Sequence, residues 1–332
     1  MHAVYVRRFG GPETLTVESV PDPEPTADQV MVDIRATGAN FVDLLVTGGT
    51  YQFVPKLPFV PGKLPAGIVS AIGANVRGLA VGDRVLTLAE QGGYATKVAV
   101  APAACLPLPD SMTFVDAAAM GLAYDTAWFA LCDRARGKAG EVALVLGASG
   151  GVGLAAIQIA KVYGLRVLAG ISNPDKADLV RAAGADEIVD LAANNLHESL
   201  RQQVHRLTGG HGADIVLDPL GGDFFDAAVR AVAWCGRLVI IGFASGRIPT
   251  LKMNYVLLKN IEVSGLQVSD YRKRRPEQMR QCYTELFRHY ESGALRPPPT
   301  TVFPLEKTGE ALRLLRDRAV MGRIVVTPQS ET

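Results

Sequence analysis

A glycine-rich turn between two apolar segments is the first feature of this sequence that can carry chemistry. Residues 142–146 are an apolar, β-branched run, and small and apolar residues follow the turn at helical spacing. Ala148-x-Gly150-x-x-Gly153 fits the G-x-G-x-x-G/A pattern with alanine in its first place. Gly150 would let the backbone approach a pyrophosphate, and Gly153 would let the helix lie close to the strand. Strand, turn and helix in this order predict a dinucleotide site at a helix N-terminus, with five candidate contacts: Ala148, Ser149, Gly150, Gly151 and Val152.

The end of the next predicted strand, 166–171, indicates which dinucleotide is preferred. NAD sites place an Asp or Glu there to hold the ribose 2′-hydroxyl, and this strand tip has no carboxylate. Ser172 can donate a hydrogen bond and Lys176 a charge to a 2′-phosphate, each contributing about 1.5–3 kcal/mol. These residues predict NADPH. The alternative, which the neighbouring Asp175 keeps open, is that Ser172 only caps the next helix and Lys176 is solvated.

Composition narrows the class of protein. The 332 residues are 48% apolar and 20% charged, which allows a large core, and the length favours about two domains. The net charge of +1 gives no electrostatic case for nucleic acid or a membrane surface. Four scattered cysteines without a C-x-x-C pair are expected to be small buried hydrophobes in a reducing compartment. The start lacks the apolar stretch of a signal peptide, so cytoplasm is the expectation.

The secondary structure predicted to position these residues differs between two parts of the chain. Up to about residue 120, short β-rich runs at 3–6, 30–36, 67–72, 83–88 and 96–100 alternate with Gly- and Pro-rich segments, which predicts an irregular barrel-like domain. From about Thr113, a plausible N-cap, strands and helices alternate, as in a doubly wound parallel sheet. We predict its strands at 142–146, 166–171, 187–190, 213–218, 237–242 and 261–268. The last apolar strand, 322–326, is expected to return to the first domain, because the sheet already has six strands.

Seven segments resemble one family. The chain is similar to the zinc-free medium-chain dehydrogenases/reductases, in the NADPH:quinone oxidoreductase (zeta-crystallin-like) group, over essentially its whole length. The matching segments are GANFVDLLVTGGTY (38–51), LPFVPG (57–62), VGDRV (81–85), GGYA (92–95), GASGGVGLAAIQIAK (147–161), TGGHGADIVLDPLGG (208–222) and GRLVIIGFASG (236–246).

The resemblance implies an α/β fold with two domains. These are a GroES-like β-barrel catalytic domain from residues 1–121 with 266–332, and a Rossmann domain, a doubly wound parallel sheet that binds NADPH, from residues 122–265. Zinc-dependent relatives have a Cys where Asn40 stands and a His-Glu pair where Lys63 and Leu64 stand. Amide, ammonium and isobutyl groups cannot build a catalytic zinc site, so we expect no metal.

The resemblance also implies site residues beyond the glycine turn. Residues matching Asn40 and Thr126 lie beside the nicotinamide, and Arg318 matches an arginine that assists 2′-phosphate binding in some relatives. The remaining implied cofactor contacts are Gly242, Phe243, Ala244, Ser245, Leu266 and Val268. For Asn40 and Ser245 a local turn-capping role is the alternative.

Three residues are candidates for the acceptor chemistry: Asn40, Asp43 and Tyr51. Tyr51 matches the tyrosine that related 2-enoyl thioester reductases use as proton donor, and a phenol near its reference pKa of about 10 is protonated at neutral pH. An amphipathic pocket wall is the alternative for Tyr51. Asp43 is either a proton relay or a buried carboxylate that binds backbone N–H groups.

These features predict hydride transfer to a conjugated acceptor. Without a Lewis acid the chemistry relies on positioned donors, which suits a small-molecule quinone or α,β-unsaturated carbonyl. A 2-enoyl thioester reductase is the alternative enzyme, with Tyr271-Arg272-Lys273-Arg274-Arg275 as its basic patch. A non-catalytic NADPH- or RNA-binding protein is the alternative outside enzymology, although no basic stripe interleaves with aromatics. A homodimer is expected by resemblance, through the apolar edge strand 261–268.

Overall fold

A six-stranded parallel sheet organises the middle of the chain. A computed structural model describes residues 1–328. Its strand order is β10-β9-β8-β11-β12-β13, and every neighbouring pair is parallel. The chain therefore starts in the middle at β8, runs to one edge, and returns past β8 to build the other half. This is the predicted doubly wound sheet, with the topological switch between β8 and β11.

The strands and helices have the following bounds. The strands are β1 (His2–Tyr5), β2 (Thr16–Ser19), β3 (Val30–Gly38), β4 (Ala66–Ile72), β5 (Arg84–Thr87), β6 (Lys97–Val100), β7 (Cys105–Pro107), β8 (Val142–Leu146), β9 (Arg166–Ile171), β10 (Glu187–Asp190), β11 (Ala213–Asp218), β12 (Val232–Ile240), β13 (Glu262–Gly265), β14 (Thr300–Pro304) and β15 (Arg323–Thr327). The helices are α1 (Phe41–Thr47), α2 (Phe114–Trp128), α3 (Gly151–Val162), α4 (Ala177–Ala182), α5 (Leu196–Leu207), α6 (Gly222–Ala231), α7 (Met253–Lys259), α8 (Val268–Arg274), α9 (Pro276–Glu291) and α10 (Thr308–Arg316).

The chain forms two compact units. The first comprises residues 1–122, 283–292 and the chain from 299 onward, and the second comprises 123–282 and 293–298. Residues 266–282, which the resemblance placed in the first domain, belong to the second unit. The reason is local: the Tyr271 hydroxyl donates to Asp133 at 2.6 Å, and the Arg272 guanidinium binds Asp125 at 2.6 Å.

The first unit is built on a mainly antiparallel sheet of order β14-β15-β3-β4-β5-β7, with β6 paired to β3. Val30, Val32 and Ile34, which alternate along β3, are buried together with Val69 of β4, as one-sided strands require. The terminal strand β15 pairs with β3, so the predicted return of the chain to this domain is confirmed. Together the two sheets confirm the α/β fold with a GroES-like and a Rossmann domain.

Two predicted strands of the Rossmann sheet have other bounds than expected. The strand predicted at 237–242 is β12, which begins at Val232 and ends at Ile240. The predicted strand 261–268 is β13 over only four residues, and Val268 is instead the first residue of α8, because Gln267 caps that helix by accepting from the Ser269 N–H at 3.2 Å. Thr113 caps α2 as predicted, accepting from the Asp116 N–H at 3.0 Å. That helix is interrupted at Gly121, whose backbone is not helical. No helix of the described residues 1–328 is both long enough and apolar enough to cross a membrane.

Candidate functional site

The glycine turn joins β8 to α3 at the switch point of the Rossmann sheet. Gly150 is the exposed N-cap of α3, and its N–H closes the turn onto the Gly147 carbonyl at 2.9 Å. The first N–H groups of a helix have no intrahelical acceptor, so those at the start of α3 are available to an anion. Open sheets of this kind bind ligands at the carboxyl ends of their strands beside the switch point.

Gly153 sets how closely α3 approaches β8. A Cβ at this position would lie 2.5 Å from the Gly147 carbonyl oxygen and 2.6 Å from the Ala148 Cα, both backbone atoms that cannot move aside. Ala148 itself is fully buried and donates its N–H to the Gly170 carbonyl at 3.0 Å. Ala148 therefore shapes the turn, and the exposed face of the turn is formed by Ser149, Gly150 and the start of α3.

The carboxyl end of the neighbouring strand β11 is held by a buried aspartate. Asp218 Oδ1 accepts from the N–H groups of Leu220 and Gly221 at 2.8 and 2.9 Å. Its Oδ2 is buried and has no hydrogen-bond partner within residues 1–328. Burial raises the pKa of Asp218 to about 6. The aspartate thus fixes the loop that follows β11.

The predicted cofactor loop 242–246 is fastened to that same loop. The Ala244 and Ser245 N–H groups donate to the carbonyls of Pro219 and Leu220 at 3.1 and 2.9 Å. Ser245 thus takes part in the local turn through its backbone N–H. Gly242 donates its N–H to the Asp218 carbonyl, and the Gly246 N–H closes the turn onto Phe243 at 2.8 Å. The loops after β11 and β12 are therefore hydrogen-bonded to each other at the carboxyl ends of the strands.

The corner after β9 presents Ser172 to solvent. Asn173, not Ser172, caps the next helical turn, because its side chain accepts from the Asp175 N–H at 2.9 Å. The capping alternative for Ser172 is therefore wrong, and its exposed hydroxyl is available to a ligand. Lys176 is half-buried four residues later, at the end of that turn.

The remaining predicted cofactor residues of the second unit are largely buried. Leu266 donates its N–H to the Ile240 carbonyl at 2.9 Å, and Val268 opens α8. Thr126 lies in α2, and its hydroxyl donates to Asp125 at 3.3 Å. Asp125 is fully buried and is bound by Arg272, whose side chain is only 4% exposed. Arg272 therefore does not contribute to a basic surface patch.

In the first unit, a buried arginine orients Asn40. Arg323 comes from the terminal strand β15, and its Nη2 donates to Asn40 Oδ1 at 2.9 Å while its Nε donates to the Ala119 carbonyl at 2.9 Å. Asn40 Nδ2 donates to the Gly38 carbonyl at 2.9 Å. Both the oxygen and the nitrogen of the amide are thus held in place. Within residues 1–328 the second N–H of Nδ2 has no acceptor, so it can donate to a ligand. Asn40 is also the N-cap residue of α1, where it forms a capping box with Asp43, and its role beside the nicotinamide stays a prediction.

Asp43 lies directly beneath Asn40, one turn into α1. Its Oδ2 accepts from the Asn40 N–H at 2.8 Å and from the Tyr94 hydroxyl at 2.7 Å. Burial raises the pKa of Asp43 to about 6, although its hydrogen bonds and the nearby cations Lys63 and Arg323 act in the opposite direction. Burial also raises the pKa of Tyr94, and the charge of Asp43 adds to that effect. Asp43 is therefore a buried carboxylate that holds backbone and side chains in place.

Tyr51 is half-buried and has an aromatic and a cationic neighbour. Its ring meets Phe53 edge-on at a centroid distance of 6.4 Å and packs on the apolar cluster of Val6, Val46 and Phe59. Lys63 Nζ lies 5.8 Å from the centroid of the Tyr51 ring. The Tyr51 ring thus packs on apolar side chains with a positive charge nearby, and its role as proton donor stays a prediction.

The three residues predicted to act on the substrate, Asn40, Asp43 and Tyr51, therefore belong to the first unit. The glycine turn, the corner after β9 and the loop 242–246 belong to the second unit. Arg318 belongs to the first unit, where it is exposed at the end of α10 with a positive φ of 56°. The sequence pattern did not reveal Tyr94 or Arg323 as site residues. Arg323 had a signal, namely a charged residue opening an otherwise apolar buried strand, but nothing local tied it to Asn40.

The positions of zinc ligands in related enzymes hold groups of other chemistry. Asn40 presents an amide bound to Arg323, Lys63 an ammonium, and Leu64 a buried isobutyl group. Among residues 1–328 no three His, Cys, Asp or Glu side chains come together as a possible metal site. These donors do not fit a zinc ion.

A Rossmann sheet with a phosphate-type glycine turn, joined in one chain to a GroES-like sheet, defines a medium-chain dehydrogenase/reductase. Residues 26–110 match the alcohol dehydrogenase GroES-like domain, and residues 151–287 match the zinc-binding dehydrogenase domain. The chain belongs to this superfamily, in its zinc-free quinone oxidoreductase family.

Similar proteins span nearly the full chain. Quinone oxidoreductase from Sus scrofa is 34% identical over 329 residues, which cover 98% of this chain and 97% of that protein. Quinone oxidoreductase-like protein 2 homolog from Nematostella vectensis is 35% identical over 301 residues, which cover 90% of this chain and 81% of that protein. The structure of Escherichia coli quinone oxidoreductase complexed with NADPH has a TM-score of 0.91 at 27% identity, covering 99% of this chain and 100% of that one.

Proposed function

We propose that this protein is an NADPH-dependent reductase of quinones or α,β-unsaturated carbonyls that works without zinc. The observation that carries the proposal is the corner after β9. It has no carboxylate at the strand tip, and its exposed Ser172 is not used by the following helix. The choice of NADPH is also supported by the related Escherichia coli quinone oxidoreductase, whose structure was solved in complex with NADPH. Oxidation of NADPH in the presence of quinones and enones tests the proposal.

The second unit fits the cofactor. The close approach of α3 to β8 at Gly153, the exposed Gly150 and the free N–H groups of α3 form a cradle for a pyrophosphate. Ser172 and Lys176 would hold the 2′-phosphate, and the paired loops 219–222 and 242–246 would close on the rest of the dinucleotide. We keep Thr126, Leu266, Val268 and Arg318 as proposed contacts. When bound, NADPH supplies the hydride.

The first unit supplies groups for a carbonyl acceptor. Asn40, oriented by Arg323, offers one N–H that can align a carbonyl oxygen, and Tyr51 offers a hydroxyl proton for the oxygen or carbon that becomes basic when hydride arrives. Asp43 holds α1 against Tyr94 and keeps Asn40 in register. Because these groups stabilise charge only moderately, they suit acceptors in which conjugation spreads the developing charge.

The alternative activity, reduction of a 2-enoyl thioester, required a basic patch for a phosphorylated carrier. Of its five residues, Arg272 is bound to Asp125 in the interior and Tyr271 donates to Asp133. Arg274 faces Asp270 at 3.7 Å. The interior pairing of Arg272 weakens this alternative, so we propose quinones and simple enones as the acceptors.

Replacing Ser172 and Lys176 together by alanine should erode the preference for NADPH over NADH. Two charge-assisted hydrogen bonds would be lost, and each contributes about 1.5–3 kcal/mol, so the ratio of the two kcat/KM values should fall roughly 100-fold or more. The measurement is kcat/KM for both cofactors with one acceptor. Exchanging the exposed Lys138, which lies outside the proposed site, for alanine is the control. An unchanged ratio in the double variant would refute the 2′-phosphate assignment.

We also propose a homodimer formed through the edge of the Rossmann sheet. Strand β13 is the last strand of that sheet. Large apolar side chains that are 67–77% exposed lie on β12, in the segment that follows it and on α7, all before β13 in the chain: Trp234, Ile248, Met253, Leu257 and Leu258. Exposed apolar area of this extent next to an open strand edge is typical of an interface.

Exchanging Leu257 and Leu258 for glutamate should convert the dimer to a monomer. Two buried charges and the loss of two leucines remove roughly 3 kcal/mol or more per protomer from the interface. Light scattering at micromolar concentration measures the mass. Val81→Glu, an exposed valine of the first unit, is the matched control and should stay dimeric. A wild-type protein of monomeric mass would contradict the proposal.

A further inference from the structure

A buried ammonium group lies beside Tyr51. Lys63 is only 7% exposed, and its Nζ is bound by the carboxylate of Glu90, whose side chain is 28% exposed. Within residues 1–328, Glu90 is the one hydrogen-bond partner of Nζ, so two of the three N–H donors of this ammonium are unused. A buried cation is costly unless its donors are satisfied, and the unused N–H groups point to a ligand that accepts hydrogen bonds.

The backbone on both sides of Lys63 is held in unusual conformations. Gly62 has a φ of 91°, and a Cβ there would lie 2.6 Å from the Tyr94 nitrogen. Leu64 has a φ of 53°, in the left-handed region that a branched aliphatic residue rarely adopts, and its N–H donates to the Ala89 carbonyl at 2.9 Å. That hydrogen bond places Lys63 next to Glu90. Backbone strain of this kind persists where it positions a functional side chain.

The groups that face this ammonium belong to the proposed acceptor site. Nζ lies 5.8 Å from the centroid of the Tyr51 ring, and its charge reaches the buried carboxylate of Asp43, which also binds the Asn40 N–H. The charged and titratable groups that face Lys63 include Tyr51, Glu90 and Asp43, and Arg323 lies on the other side of Asp43 and Asn40. An ammonium with unused donors therefore lies near the residues predicted to act on the acceptor.

We propose that Lys63 is a further catalytic residue, whose ammonium donates a hydrogen bond to the carbonyl oxygen of the acceptor and stabilises the negative charge that develops there. This rests on the proposed function. When the hydride that NADPH supplies adds to the β-carbon of an enone, its C–H bond to the cofactor breaks and a new C–H bond forms, while the cofactor is oxidised to NADP⁺. The C=C π pair moves to form the enolate C=C, and the C=O π pair moves onto oxygen. Lys63 stabilises that oxyanion without losing its proton, and the Tyr51 hydroxyl gives up its proton to the enolate, with the phenolate re-protonated by water.

A purely structural role for the Lys63–Glu90 pair makes a different prediction. Loss of a structural ion pair would change the stability of the fold and lower turnover on every acceptor alike. Loss of an oxyanion-stabilising cation lowers turnover most for the acceptor with the more basic product anion. An enolate is far more basic than the hydroquinone anion, whose charge spreads over an aromatic ring. The ratio of enone to quinone turnover therefore separates the two roles.

The test uses the full-length protein with Lys63→Met and Lys63→Arg, and measures kcat and KM for 2-cyclohexen-1-one and 1,4-benzoquinone. Removal of one oxyanion donor costs about 100- to 1,000-fold in kcat. We expect K63M to lose kcat on the enone in that range, to lose less than about 10-fold on the quinone, and to keep its KM within about 3-fold. K63R should recover at least about 10-fold of the enone loss. Lys97→Met, which removes a surface ion pair with Asp22, should change neither.

Several outcomes overturn the inference. Equal losses on both acceptors, or an enone kcat within 3-fold of the wild type, would make Lys63 a structural residue. If K63M does not fold, the Glu90→Gln variant provides the test. Without its counter-ion the ammonium should raise enone turnover relative to quinone turnover. An unchanged ratio of the two turnover numbers would overturn the inference. A wild-type protein that reduces neither acceptor overturns the proposed function itself, and this inference with it.

Discussion

Gly153→Ala is expected to destabilise the protein and to weaken NADPH binding at least 100-fold. Helix propensity alone predicts the opposite, since alanine in a helix is about 1 kcal/mol more favourable than glycine. The new Cβ, however, would lie 2.5–2.6 Å from three backbone atoms of Gly147 and Ala148. Overpacking of this kind costs about 1–3 kcal/mol or more, and here the relief must come from moving the glycine turn between β8 and α3. Urea denaturation and NADPH fluorescence titration measure the two effects.

Two other glycines provide the controls. A Cβ on Gly265 would meet no atom within 4 Å, so Gly265→Ala should leave the free energy of unfolding within about 1 kcal/mol of the wild type. A Cβ on the exposed Gly150 would lie 3.3 Å from the Gly147 oxygen, so Gly150→Ala should weaken NADPH binding more than it lowers stability. A Gly153→Ala protein more stable than the wild type would show that propensity outweighs the close approach.

Arg323→Met is expected to lower both stability and turnover. Arg323 is 5% exposed and donates to Asn40 and Ala119, so its replacement removes two buried hydrogen bonds. Hydrogen bonds to a charged group contribute about 1.5–3 kcal/mol each, and we expect a loss of about 3 kcal/mol in the free energy of unfolding. Because Asn40 is no longer oriented, kcat should fall roughly 10- to 100-fold. Denaturation and steady-state kinetics measure these losses.

The loss of stability in Arg323→Met should depend on pH. Arg323 lowers the pKa of Asp43, which burial has raised to about 6, so its removal raises that pKa further. A carboxyl group with a raised folded-state pKa stabilises the fold at low pH and loses that contribution as pH rises through the folded-state value. The variant should therefore lose more stability at pH 8 than at pH 5. Arg316→Met removes an exposed arginine bound to Asp317 and Glu13, and should cost less than about 1 kcal/mol at both pH values. A pH-independent loss in Arg323→Met would contradict the coupling to Asp43.

Local sequence patterns were sufficient to predict four of the six strands of the Rossmann sheet with their bounds. Strands β8, β9, β10 and β11 lie at the predicted residues because each is a short apolar run between turn residues, and the pattern needs no distant information. Helices α1 and α7 were missed. Each has only seven residues, which is too few for a helical period to be recognised. In α7 several apolar side chains are exposed, so its apolar residues do not indicate a face that packs on the core.

The two groups of candidate residues, one in each unit, differ in how far they can be predicted from the sequence. The glycine turn is a local motif, and its strand, turn and helix follow one another in the chain. Asn40 and Arg323 are 283 residues apart and Asp43 and Tyr94 are 51 apart, so the contacts that orient the acceptor residues depend on how β15 and β3 pair. Lys63 entered the sequence argument only as a missing zinc ligand. Its burial and its pairing with Glu90 give it a chemistry of its own.

Reduction of a conjugated acceptor by NADPH is the central claim, and one assay tests it directly. The wild-type protein is mixed with NADPH and, in separate reactions, 1,4-benzoquinone, 9,10-phenanthrenequinone, 2-cyclohexen-1-one and crotonyl-CoA, and the absorbance of NADPH is followed. We expect turnover with the quinones or the simple enone, faster with NADPH than with NADH and unaffected by a zinc chelator. Tight binding of NADPH without turnover on any of the four acceptors would contradict the claim and leave a cofactor-binding protein without this activity.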